Sequence, residues 1–231
     1  MTPKNISVIV PCYNEKKRIL PVILAISQSK YFPEIIVVDD GSAPASKKVL
    51  SGIKGIKLIT HRHNLGKSQA LKSGFLASRG DIVVFIDSDL IGLTPQHLDL
   101  LVEPILKHNY DLSIGDIERI LFPFKLSGYS ACYSGERAFK SWILKQHQEV
   151  FSPRGYVDGF LVEAEMNKII FGRYKIAKVL LKKVSSYYKI SKYGTFAFFD
   201  DLKIMSRCLS YLGLKEELRQ LKFIRQLKYF I

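Results

Sequence analysis

Apolar residues in the first half of the chain fall into short runs separated by helical patterns. Ile6-Ser7-Val8-Ile9-Val10, Glu34-Ile35-Ile36-Val37-Val38, residues 56–60 and Ile82-Val83-Val84-Phe85-Ile86 are rich in β-branched residues and end at turn residues, which predicts strands. Between them the spacing predicts helices over about 16–29, 46–53 and 67–78, the last with Ala70, Leu71, Gly74 and Phe75 at helical spacing. Pro95 opens a further helix to about His108, and residues 111–114 read as another strand. Strands alternating with helices of roughly 10 to 15 residues imply βαβ units and a mostly parallel α/β sheet flanked by helices. The unbroken run from Ile82 to Ile86 reads as a strand buried on both faces.

After about residue 117 the alternation fades. Ile120 to Cys132 is aromatic and turn-rich without a clear period. Ser134-Gly135-Glu136-Arg137-Ala138 precedes a predicted helix to about Gln148, and residues 158–171 predict a helix, or a loop then a helix, carrying Glu163 and Glu165. Met166 to Phe199 contains no acid but eight Lys or Arg residues. At the end, Leu214, Leu218, Leu221, Ile224, Leu227 and Ile231 recur every three or four residues between Lys215, Arg219, Lys222, Arg225 and Lys228, with only Glu216 and Glu217 acidic. That is a basic amphipathic helix, suited to a membrane interface or a partner, or to packing on the core with a solvated basic face. The expected organisation is one domain over 1–212, a nucleotide-binding half (1–116) and a half that completes the site (117–212), followed by the helix at 213–231.

Charge narrows the partner. The 231 residues carry 35 basic and 21 acidic side chains, a formal net charge of +14, which implies an anionic partner: a nucleotide, a nucleic acid or an acidic membrane surface. With 47% hydrophobic residues, global disorder is not expected. Cys12, Cys132 and Cys208 are scattered without metal-ligand spacing, which suggests a reducing cytoplasm. The apolar run at Ile6–Val10 is stopped by Pro11 and is too short for a signal peptide. No stretch approaches the roughly 18 apolar residues of a membrane span. Any contact with a membrane is therefore expected at its surface or through a partner.

The candidate chemistry lies at strand ends, where open α/β sheets bind ligands. Asp87-Ser88-Asp89 places two acids that can hold a hard divalent cation, itself able to bridge phosphates. An isolated Asp-x-Asp is more often a solvated turn or a helix cap. Three further features join it. Pro11-Cys12-Tyr13-Asn14-Glu15 exposes backbone amides and a ring that can stack on a base. Asp39-Asp40-Gly41-Ser42 offers a carboxylate to an imide N–H, or forms an Asx turn. In His63-Asn64-Leu65-Gly66-Lys67-Ser68, Gly66 allows close approach and Lys67 at a helix start can meet a phosphate. This is no P-loop, because the position five before Gly66 is His61, and no G-x-G-x-x-G follows the first strand. Each feature alone is weak; all four at successive strand ends form a specific signal.

With these motifs the chain resembles family 2 glycosyltransferases of the GT-A fold, nearest the branch with polyprenyl-phosphate glycosyltransferases and glucosyl-phosphoglycerate synthases. The resemblance is strong over about residues 5–115 and continues weakly through Ser134–Ala138 and Gly159–Glu163. It implies that Pro11, Tyr13 and Glu15 line a nucleoside pocket, that Asp40 reads the base, and that Gly66 and Lys67 sit by the nucleoside or phosphates. Asp87 would lie near the ribose and sugar, and Asp89, with Asp87, would hold Mg²⁺ or Mn²⁺. Arg137 would stand near the acceptor or pyrophosphate.

The implied reaction moves a sugar from a nucleoside diphosphate, UDP favoured over GDP, to an acceptor. A hydroxyl acceptor needs a carboxylate base, for which Glu163 and Asp158 are candidates; Glu163 serves equally well as an ion-pair partner. The Glu-Asp pair frequent in the family is absent. A lipid phosphate is already an anionic nucleophile, and the basic stretch from Lys168 to Lys192 and the terminal helix fit that acceptor better. The location implied is cytoplasmic, peripheral at the inner membrane face. Two rivals explain less. A nucleic-acid binder would not place acids at strand tips, and a nucleotidyltransferase would open with a Gly-rich basic loop where Pro11–Glu15 stands.

Overall fold

The computed structural model describes residues 5–31, 33–117, 129–152, 161–186, 206 and 208–230. Strand β1 (Ile6–Cys12) is the pivot of a seven-stranded sheet. Its Val8, Ile9 and Val10 are wholly buried, as expected of a β-branched strand covered on both faces. It pairs in parallel with β2 (Glu34–Asp39) on one side and β4 (Ile82–Phe85) on the other. β3 (Lys57–Thr60) lies parallel outside β2. The connecting helices are α1 (Ile19–Ser27), preceded by a 3₁₀ turn at Lys16–Arg18, α2 (Pro44–Ser51) and α3 (Lys67–Ala77). Because β2, β1 and β4 are adjacent and parallel, their carboxyl ends open on one edge.

The second half departs from the expected pattern. β5 (Leu90–Ile91) and α4 (Pro95–Lys107) lead to β6 (Leu112–Ile117), and after the short helix α5 (Tyr129–Cys132) the chain enters β7 (Arg137–Lys140). β7 runs antiparallel between β4 and β6, so Phe139 and Lys140 are strand where the start of a helix was expected. The predicted helix shrinks to α6 (Ser141–Gln146). Four residues bounded by cations carry too little alternation to read as a strand; the neighbours supply the reason, since Phe139 enters one core layer and Ala138 the other. α7 (Leu161–Ile170) precedes β8 (Ile176–Leu181), which is parallel to β6 at the sheet edge. Lys178 in the middle of β8 masks that strand in the sequence.

The sheet separates two apolar layers. One holds Ile9, Val38, Phe75, Phe85 and Phe139, and the other holds Val10, Ile19, Ile26, Leu98 and Leu101. The final helix, α8 (Leu214–Gln226), turns the wholly buried Gln220 and Ile224 inward, and Phe223 stacks on Phe171 at 4.6 Å. Leu214 and Leu218 stay exposed at 64% and 55%. Beyond it the tail covers the free edge of β8: Phe230 N–H donates to the Lys178 carbonyl at 2.8 Å, and Tyr229 O–H donates to Asp116 at 2.5 Å. Among the described residues no helix is long and apolar enough to cross a membrane.

Candidate functional site

Three loops meet above the carboxyl ends of β1, β2 and β3, tied to one another. Asn14 N–H donates to Ser42 Oγ at 2.9 Å, and Ala43 N–H donates to Asn14 Oδ1 at 2.8 Å. Asp40 organises the third loop. Its carboxylate accepts Leu65 N–H at 2.9 Å and Gly66 N–H at 2.8 Å, and stands 2.7 Å from His61 Nδ1. A carboxylate has roughly four acceptor positions, and Asp40 uses three of them to brace the start of α3. Asp39 Oδ1 accepts Ser42 N–H, three residues on, at 3.0 Å, while its Oδ2 is buried without a donor. Tyr13 is 49% exposed and Pro11 is half-buried at the β1 tip.

Lys67, at the start of α3, joins the two halves of the chain. Its Nζ lies 2.7 Å from Asp87 and 2.8 Å from Glu163 on α7. Burial would lower its pKa; the two carboxylates outweigh that and hold it raised, so the ammonium stays charged. Gly135 lets Asp87 come this close, since a Cβ at that position would stand 2.6 Å from Asp87 Oδ2. Behind Asp87, the buried Glu136 accepts Ser134 O–H at 2.5 Å through Oε2, and its Oε1 has no donor. Burial and the nearby Asp87 push its carboxyl up to about 7, against the opposing Ser134 bond. Glu163 is also buried, with Oε2 unpartnered.

Glu15 belongs to the same acidic edge. Burial raises its pKa, Arg18 opposes, and the charges of Asp89 and Asp87 raise it further. Arg18 Nε is 3.0 Å from Glu15 Oε2, yet its N–H is directed at the Glu15 carbonyl, which leaves Oε2 buried without a hydrogen bond. Asp89 Oδ2 accepts Ser186 O–H at 2.6 Å. All-oxygen carboxylate donors and an orphaned acidic oxygen suit a hard divalent cation. Among the described residues no three Asp, Glu, His or Cys side chains converge as a self-sufficient metal cage. A cation here would therefore draw further ligands from phosphate and water.

Arg137 requires a correction. It was expected beside the acceptor or pyrophosphate, but it is wholly buried, and its guanidinium donates to the Ser134 carbonyl (2.8 Å), the Cys132 carbonyl (2.7 Å) and Asn167 Oδ1 (2.8 Å). It is an internal strut joining β7 to α7. Asp158 and Lys192 lie outside the described residues. Sequence reasoning did not single out Asp39, Glu136 or Ser186. Glu136 was visible inside a quoted motif, whereas Ser186 lies 97 positions from Asp89 and carried no signal.

The model of the family described as glycosyl transferase family 2 matches residues 7–159. The chain belongs to glycosyl transferase family 2. Among relatives of this family member is an undecaprenyl-phosphate 4-deoxy-4-formamido-L-arabinose transferase of Aeromonas hydrophila, 32% identical over 126 residues, covering 50% of this chain and 37% of that protein. A glucosyl-3-phosphoglycerate synthase of Mycolicibacterium paratuberculosis is 37% identical over 112 residues, covering 45% of this chain and 34% of that protein. These matches thus span about a third of the curated relatives' own length. A crystal structure of the Mycobacterium tuberculosis glucosyl-3-phosphoglycerate synthase, in complex with Mn²⁺, UDP and glucosyl-3-phosphoglycerate, superposes with a TM-score of 0.67 at 26% identity. It covers 95% of this chain and 81% of that one. The fold is GT-A.

Proposed function

We propose that this chain transfers a glycosyl group from a nucleoside diphosphate sugar, UDP favoured, to an anionic acceptor. The observation that carries the reading is the convergence of Glu15, Asp87 and Asp89 with the Lys67 ammonium on one sheet edge, in a chain of this family. Tyr13 and Pro11 offer apolar surface to the base, and the Asp40-braced loop fixes the backbone beside it. Asp89 and Asp87 are the residues that would hold Mg²⁺ or Mn²⁺, which when bound neutralises charge on the departing diphosphate. Lys67 adds a fixed positive charge to the same place. Glu163 is held 2.8 Å from Lys67 and keeps one unpaired oxygen, the arrangement a proton acceptor for a hydroxyl nucleophile needs.

A lipid phosphate is the favoured acceptor, met by a chain lying against an anionic membrane surface. The undecaprenyl-phosphate transferase relative supports it, as do the exposed Leu214 and Leu218 on a helix that also carries Lys215, Lys222 and Arg225. The second reading, a soluble phosphoglycerate, is favoured by the phosphoglycerate synthase that superposes over 95% of the chain.

The test offers a panel of UDP- and GDP-sugars, with and without Mn²⁺, to polyprenyl phosphate and to 3-phosphoglycerate, read by mass spectrometry. Transfer to polyprenyl phosphate that requires Mn²⁺ is expected, and Asp89→Ala is expected to abolish it while the circular dichroism melt is unchanged. Turnover that survives Asp89→Ala would overturn the metal role, and transfer only to 3-phosphoglycerate would replace the acceptor.

A further inference from the structure

Asp89 is held by a structure that comes from far along the chain. β5 (Leu90–Ile91) pairs antiparallel with β9 (Ser185–Ser186), with Leu90 opposite Ser186. Two-residue strands are marginal by themselves, but this ribbon is anchored. Leu90 and Val184 are buried in one apolar layer. Gly92 packs so tightly that an added Cβ would stand 2.3 Å from the Lys183 carbonyl oxygen, and its φ of 77° suits glycine. From this ribbon Ser186 O–H donates to Asp89 Oδ2 at 2.6 Å.

A terminal carboxylate torsion is broad and nearly two-fold, so an untied aspartate samples many orientations. The short hydrogen bond from the anchored strand favours the orientation in which Oδ2 turns toward Ser186, beside the edge where Asp89 and Asp87 act on Glu15. We infer that Ser186 is a positioning residue for the cation held at Asp89, so that the acceptor half sets the metal affinity of the donor half. The inference rests on the metal role proposed above and adds a residue to it. Partners of this kind typically change metal affinity by about 10- to 100-fold when removed.

The experiment measures Mn²⁺ binding directly, by electron paramagnetic resonance titration in the presence of UDP. It compares the full chain with Ser186→Ala, Ser186→Thr and Ser185→Ala, each checked for an unchanged melting curve. Ser186→Ala is expected to weaken Mn²⁺ binding about 10-fold or more. Ser186→Thr, which restores the hydroxyl, and Ser185→Ala should bind as the unaltered chain does. In turnover assays Ser186→Ala should raise the Mn²⁺ concentration needed for half-maximal rate, with kcat at saturating Mn²⁺ nearly unchanged. Equal Mn²⁺ affinity in Ser186→Ala and the unaltered chain would overturn the inference and leave the metal role standing. Failure of the unaltered chain to bind Mn²⁺ with UDP would overturn both.

Discussion

Individual residues at this edge differ mainly in how fully the fold satisfies them. Asp40 is nearly saturated by protein donors, whereas Glu136 is buried with one oxygen unpaired. That contrast has a pH consequence. The Glu136 carboxyl, ordinarily near 4.5, is raised to about 7 in the folded protein. Between those values the folded state binds more protons than the unfolded one, so stability falls as pH rises through the window. Glu136→Gln, which cannot titrate, should flatten that fall. Melting curves of the metal-free protein from pH 4.5 to 8 check it, and parallel pH profiles for the two proteins would contradict it. Gly135 supplies a steric prediction at the same scale. Gly135→Ala brings a methyl group against Asp87, and displacing that carboxylate by an ångström should lower turnover roughly 10²-fold. Steady-state kinetics with saturating Mn²⁺ read it.

Secondary elements were legible to the degree that their own residues carry the signal. β1, β2, β4 and α3 appear within a few residues of where apolar spacing predicts them, because continuous β-branched runs and helical stripes are local properties. β7 and β8 were not, because Arg137 and Lys178 break their apolar pattern. Inside the sheet these cations find hydrogen-bond partners that no strand pattern announces: the Ser134 and Cys132 carbonyls and the distant Asn167 for Arg137, the Ile224 carbonyl for Lys178. α8 shows a related limit. Its sequence marks an apolar stripe and a basic face, but only packing divides that stripe into buried Ile224 and exposed Leu214 and Leu218. Ile224→Ala should therefore cost about 2–5 kcal/mol of stability. The double variant Leu214→Ser, Leu218→Ser should melt like the unaltered chain yet pellet less with anionic vesicles. Equal pelleting would remove α8 from the membrane reading.

At the scale of the whole molecule, the chain's end completes the fold. α8 covers α5 and α7, and residues 229–230 close the edge of β8. Removing residues 214–231 should lower the melting temperature sharply or prevent folding, so point variants are the sound probe of membrane contact. Thermal melts of the truncated chain check this, and an unchanged melt would show that the tail is dispensable. The fold also joins the two halves of the chain: Lys67 pairs with Glu163, and Ser186 donates a hydrogen bond to Asp89.

The parallel strands β1–β4 with the helices between them, and the acids at the strand tips, were written in the sequence alone, since hydrophobic period and turn chemistry act over a few residues. Only the folded chain decided that Arg137 is an internal strut, that Lys67 is clamped between two acids, and that Ser186 reaches Asp89. Each depends on which distant groups are brought within about 3 Å and shielded from water, and no local pattern encodes that distance.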